Sequence, residues 1–171
     1  VASCLLNLAD LSAATGRVAQ AEQYFGRALA ISERVHGPNH PHVADCLNGL
    51  ADLLTATSRL AEAESLHRRA LCIREAAYGR EHPKVAQSLN GLGQLLHAAN
   101  RPTEAEQTLR RAIGIYERTF GPEHTDVATC LGNIANVLAA TNHLSEAEDL
   151  FRRALAIAER IRGPAHPSVA D

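Results

Sequence analysis

Apolar residues along this chain follow a helical beat that restarts at a fixed interval. In "VADCLNGLADLLTAT" (43–57), Val43, Leu47, Leu50 and Leu54 are spaced by four, three and four residues, which lines one face of a helix. After a short break, "AEAESLHRRALCIREAAY" (61–78) sets Ala63, Leu66, His67, Ala70, Leu71 and Ile73 on one side and charged residues on the other. No stretch alternates with period two, so a bladed β architecture is excluded. The helix pair recurs every 42 residues, from Val1-Ala2, Val43-Ala44, Val85-Ala86 and Val127-Ala128. This predicts one solenoid domain over 1–171 with repeats 1–42, 43–84, 85–126 and 127–168, and with 169–171 opening a fifth.

Punctuation follows the same period. Gly16-Arg17, Ser58-Arg59, Asn100-Arg101 and Asn142-His143 separate the two helices of each pair, and Gly and Asn tolerate the left-handed conformation that ends a helix. Between pairs stand "GPNHP" (37–41), "GREHP" (79–83), "GPEHT" (121–125) and "GPAHP" (163–167). The glycine ends one helix, Pro38, Pro122 and Pro164 forbid its continuation, and the proline after His40, His82 and His166 fits the first turn of the next. These histidines are read as caps through a ring nitrogen, and Thr125-Asp126 is expected to take over that role in the third loop. Glu64–Arg68, Glu106–Arg110 and Glu148–Arg152 are spaced as ion pairs on a solvated helix face.

Leu47, Leu50-Ala51, Leu54, Ala63, His67 and Ala70 resemble the tetratricopeptide repeat signature, with Phe25 and Phe151 in the slot of His67 and Leu109. The 42-residue length and the "ALxIxE…GPxHPxVA" ending are similar to the kinesin light chain type of that repeat. Gly93, Pro102 and Ser12 depart from the pattern locally. The resemblance implies an all-α, right-handed superhelical solenoid of antiparallel helix pairs, eight helices in all. It further implies that the first helix of each pair, helix A, lines a concave groove.

Composition removes several functions. A net charge of −2 gives no reason to expect nucleic acid or an anionic membrane as partner. No apolar run is long enough to span a bilayer. Cys4, Cys46 and Cys130 occupy one repeat position in alanine- and leucine-rich helix, where they read as small core fillers without a catalytic base. Four thiols with no CxxC spacing suggest a reduced, cytoplasmic setting. Single histidines on successive repeats are about 10 Å apart, too far to share one ion whose ligands lie within about 2.3 Å. His40 and His42 are close but lack further ligands. No metal, no cofactor and no enzymatic activity are expected, and His67 reads as a core histidine.

By the resemblance, the groove residues are Asp10, Asp45, Asn48, Asp52, Gln87, Asn90, Gln94, His97, Thr129 and Asn136. The repeat segments assigned to helix A carry no Lys or Arg, so the basic grooves that relatives use for acidic or carboxylate-ended ligands have no counterpart. A neutral or basic peptide or helix is therefore the expected ligand. Asn48 and Asn90 would grip its backbone, and Asp45 and Asp52 would select Lys or Arg. Leu150, Ala154, Ile157 and Ile161 are expected to form an uncovered end face. That face suggests a second role, a structural array that self-associates head to tail.

Overall fold

The computed structural model describes residues 1–162. All regular structure among them is helical: α1 (Ala2–Ala14), α2 (Val18–His36), α3 (Pro41–Ala56), α4 (Leu60–Tyr78), α5 (Pro83–Ala98), α6 (Pro102–Phe120), α7 (Thr125–Ala140) and α8 (Leu144–Arg162). The chain divides into two compact units, Val1–Arg80 and Glu81–Asp171. In the first, α1 pairs with α2 and α3 with α4, while α2 also packs on α3. In the second, α5 pairs with α6 and α7 with α8, while α6 packs on α7. The fourth loop (163–167) and the start of a fifth repeat (169–171) lie outside the described residues.

Each pair turns through the same hydrogen-bonded end. Arg17, Arg59, Arg101 and His143 donate their backbone N–H to Ser12, Leu54, Leu96 and Leu138 at 2.8–2.9 Å. The preceding residue, Gly16, Ser58, Asn100 or Asn142, has φ between 57° and 73°. This is the Schellman arrangement, in which a left-handed residue satisfies the last helical carbonyls. Between pairs, Gly37, Gly79 and Gly121 combine φ of 80–87° with ψ near 162–165°, a region only glycine enters without strain.

The loop histidines cap the following helix. Nδ1 of His40, His82 and His124 accepts from the backbone N–H two residues on, at 3.2, 3.1 and 3.2 Å. The third loop corrects the sequence reading, because His124 performs the capping and Thr125 and Asp126 are already helical. The helices also begin two residues before the Val-Ala cut, since proline at 41 and 83 occupies the first helical position. Lys84 therefore lies in the first turn of α5, so one helix A does carry a basic residue, although at an exposed end rather than at a groove position.

Small residues let the helices close on large ones. In the first unit Phe25 is 2% exposed and packs with Ala9, Ala21 and Leu53. A Cβ added at Gly49 would lie 2.4 Å from the Phe25 ring, so glycine is what admits α3 to this distance. Val43, Ala44, Leu47, Ala70 and Ile73 form a second cluster. Each buried leucine or phenylalanine contributes about 2 kcal/mol by area. In the second unit Leu89, Leu96, Leu109, Ile115, Leu131, Ile134 and Leu138 are buried. Gly93 departs from the alanine of the other repeats because its Cβ would meet Leu109 Cγ at 2.5 Å. Cys46 and Cys130 are buried core fillers, with burial pushing the Cys130 thiol up to about 12. Cys4, at the same repeat position, is exposed instead.

Candidate functional site

The polar positions of α1 and α3 share one face of the first unit. Asp10 and Asp52 line a recess of about 350 Å³ with Ala13, Val18, Leu53 and Ala56. α4 packs on α3 and contributes two buried polar side chains, His67 at 1% and Arg74 at 2% exposure. His67 Nδ1 lies 3.1 Å from Asn48 Oδ1, and Nε2 lies 3.5 Å from Asp52 Oδ1. Arg74 donates to Asp45 Oδ1 at 2.6 Å. Sequence reasoning gave His67 only a core role and passed over Arg74. The signal was available, since a charged residue at 74 breaks the apolar side of α4 at a position where Tyr116 stands two helices on.

Burial and neighbouring charge set the protonation of this group. Burial holds His67 down to about 4, with Arg74 adding repulsion, so the imidazole is neutral at neutral pH. Its contact with Asp52 is therefore not an ion pair, and 3.5 Å is too long for a good hydrogen bond. Asp52 is raised to about 6, first by desolvation and then by Asp10, with Arg74 acting against both. Two-thirds of the Asp52 side chain is reachable by water, so the desolvation comes from the surrounding walls of the recess rather than from coverage. Burial also raises Asp10.

Two assignments change. Asp45 accepts from Arg74, which offsets its charge, while Asp10 and Asp52 are the carboxylates that line the recess. Asn48 and Asn90 do not present free carbonyls to a ligand. Asn48 Oδ1 faces His67, and Asn90 Oδ1 accepts from Asn133 Nδ2 at 2.8 Å and from the Cys130 thiol at 3.2 Å. Asn133, absent from the predicted set, thus orients Asn90 so that its NH₂ group points away from these contacts.

The second unit holds the remaining predicted residues on α5 and α7. Gln87, Gln94, Thr129 and Asn136 are exposed, and Asn90 and His97 are half-buried. Thr129 donates its hydroxyl to Thr125 O of its own helix. At the positions equivalent to Arg74, α6 and α8 carry Tyr116 and Ala158.

The end face is composed differently from its sequence reading. Ile157 is 2% exposed and packs inward, and Leu150 and Ala154 are half-buried. Ile161 is exposed, and so are Phe151 and Leu155, which the sequence reading did not name and which border an apolar recess of about 840 Å³ with Ala128, Ala139 and Leu144. The equivalents on α6, Leu109 and Ile113, are buried in a helix that α7 covers.

In the first unit His36 joins His40 and His42, with ring centroids 4.5, 5.3 and 5.1 Å apart. The rings of His36 and His40 are stacked, which sends their lone pairs side by side rather than toward a point. Among the described residues no three such side chains are arranged to hold a metal ion. No described helix is long and apolar enough to cross a membrane.

Comparison with known proteins places this arrangement. The tetratricopeptide repeat model matches residues 1–76, 50–118 and 104–160. Among solved structures, BtubC (BKLC) from P. vanneervenii is similar with a TM-score of 0.81 and 25% identity over 97% of this chain and 66% of that one. The chain thus spans about two thirds of the length of BtubC. A Podosopora anserina protein described as a kinesin light chain with nearly identical TPR-like repeats has a TM-score of 0.80 and 23% identity, covering 98% of this chain and 79% of that one. A Rap protein complexed with Competence and Sporulation Factor has a TM-score of 0.79 and 17% identity over 92% of this chain and 42% of its own. No curated protein matches the chain. Four 42-residue helix pairs, the Schellman turn in each and the family match across the described helices lead to one conclusion: the chain belongs to the tetratricopeptide repeat family and has its all-α solenoid fold.

Proposed function

We propose that the chain is a non-catalytic interaction module that binds a neutral or basic peptide or helix along the A-helix faces of its two units, in a reducing, cytoplasmic setting. The observation that carries this reading is the composition of those faces. Asp10 and Asp52 in the first unit, and Gln87, Gln94 and Asn136 in the second, are exposed polar side chains on A helices with no Lys or Arg at the groove positions. An extended backbone meets amide groups there, and acidic ligands meet like charge. The Rap protein of similar fold, solved in complex with its factor, supports a binding role for this architecture. Burial raises the Cys130 and Cys46 thiols, which disfavours a nucleophilic role for either.

The test is a peptide array sorted by net charge and probed with the labelled chain, wild type and Asn90→Ala. Neutral and basic peptides are expected to dominate, and Asn90→Ala is expected to weaken those that contact the second unit about tenfold. An array dominated by acidic or carboxylate-ended peptides contradicts the charge preference.

A second reading is favoured by one observation. The exposed Phe151 and Leu155 occupy positions that the next helix covers on α6, so the outer face of α8 fits a further helix of the same repeat type. Such a helix can come from another copy, which gives head-to-tail assembly. Light scattering across a concentration range distinguishes the two roles. Growth in mass that Leu155→Asp abolishes supports the array, and a constant monomer mass removes it.

A further inference from the structure

The repeated architecture is its own control. At the position of His67 the other repeats carry Phe25, Leu109 and Phe151, and at that of Arg74 they carry Ser32, Tyr116 and Ala158. The second repeat therefore buries an imidazole and a guanidinium where the first buries Phe25 and Ser32 and the third Leu109 and Tyr116. Substitutions of this kind destabilise a core that apolar residues would fill as well, and local violations of the packing pattern concentrate at functional sites. Arg74 is held by Asp45, with His42 Nδ1 3.6 Å from the other oxygen of that carboxylate. His67 has a different environment. The tautomer that satisfies Asn48 Oδ1 carries its proton on Nδ1, and in it the buried Nε2, which has no hydrogen-bond partner, is a lone pair. That lone pair faces Asp52 Oδ1 at 3.5 Å. In that tautomer two acceptors meet with no donor between them. Asp10 adds a third acceptor from α1, on the same recess.

We propose that this recess receives a lysine side chain of a partner peptide, with the ammonium between Asp10 and Asp52 and the methylene stem along Ala13, Val18 and Ala56. The proposal rests on the reading of the A-helix faces as a peptide groove, and it names the residue class that the first unit selects. An ammonium carries three donors and no acceptor, which suits convergent acceptors from two helices. A guanidinium suits one carboxylate gripped by two parallel bonds, whereas here the acceptors are spread over two helices and Asp45 is already taken by Arg74. The charged side chains that line the recess are Asp10 on α1 and Asp52 on α3; Asp45 and Arg74 pair with one another outside that lining, and His67 beside Asp52 is neutral. Arg74 offsets Asp45, and two carboxylates remain for the ligand. The apolar walls suit the stem of a long cationic side chain. The raised pKa values of Asp10 and Asp52 follow from the same crowding, and a bound cation reverses that effect.

Carbon-detected NMR of the labelled chain reads the two carboxyl groups directly during titration with acetyl-Ala-Lys-Ala-amide, the glutamine analogue and the arginine analogue. The lysine peptide is expected to shift the Asp10 and Asp52 carboxyl resonances saturably and to lower the Asp52 titration midpoint by about one pH unit or more. The glutamine peptide is expected to leave both unchanged, and Asp10→Asn and Asp52→Asn each to weaken the lysine peptide on the order of tenfold. Equal shifts with the glutamine peptide, or none with lysine, overturn the proposal, and equal affinity for the arginine peptide overturns the choice of ammonium. Array binding that survives both asparagine variants unchanged removes this subsite and leaves the groove reading standing. An array with no binder of any class sinks the groove reading itself.

Discussion

Ile157→Asp is expected to unfold the α7–α8 pair, with a loss on the order of 4 kcal/mol or more. Ile157 is 2% exposed, and its equivalents Ile115 and Ile73 are 0% and 5% exposed. The substitution removes a buried branched side chain, worth about 2 kcal/mol of transfer, and places a carboxylate where no partner is available. A charge so placed either stays unsolvated or drags water into the interface. Leu155→Asp is the control on the same helix. Leu155 is 43% exposed, and its replacement is expected to change stability by no more than about 0.5 kcal/mol. Urea denaturation followed by circular dichroism checks both, and equal midpoints for the two variants contradict the assignment of Ile157 to the inner face.

His67→Phe is expected to make the chain less sensitive to acid. The histidine has an ordinary value of 6.5 in the unfolded chain and about 4 in the fold. Above 6.5 neither state binds the proton and the residue contributes no pH dependence. Between 6.5 and 4 the unfolded chain takes up a proton that the folded chain refuses, so stability falls with falling pH, by up to about 3 kcal/mol. Asp52 acts in the opposite sense, because its folded value of about 6 lies above its ordinary 3.8. It gains stability as pH falls through that window, but its carboxyl is largely exposed and screened, so its effect is the smaller one. Phenylalanine is the residue that Phe25 and Phe151 supply at this position in other repeats, so the variant keeps the packing pattern. Denaturation curves at about pH 7, 5.5 and 4.5 are expected to diverge, with His67→Phe increasingly favoured as pH falls. Parallel curves at all three values contradict a neutral, buried His67.

The all-α pairing, the period and both kinds of loop were legible in the sequence because they depend on local chemistry. Gly37 and Gly79 need their positive φ wherever the chain goes next, and His40 reaches a backbone N–H only two residues away. The roles of side chains on the helices were less legible, because they depend on what lies across the interface. Leu150, Ala154, Ile157 and Ile161 share a helical spacing, yet the rotation of α8 on α7 turns Ile157 inward and leaves Phe151 and Leu155 outside. Asp45 looked available until Arg74, 29 residues on, reached it from α4. The pairing of Asn133 with Asn90 spans 43 residues and leaves no trace in either local pattern. Helix boundaries mattered as well: the start at Pro83, two residues before the Val-Ala cut, brings Lys84 into helix A.

Hydrogen exchange read by mass spectrometry, on the chain alone and on the chain saturated with its tightest array peptide, tests the binding account most directly. Protection is predicted on α1 and α3 in the first unit and on α5 and α7 in the second, with the outer face of α8 unchanged. Protection confined to α8, with the A helices exchanging as in the free chain, contradicts a groove-binding module and leaves the self-associating array in its place.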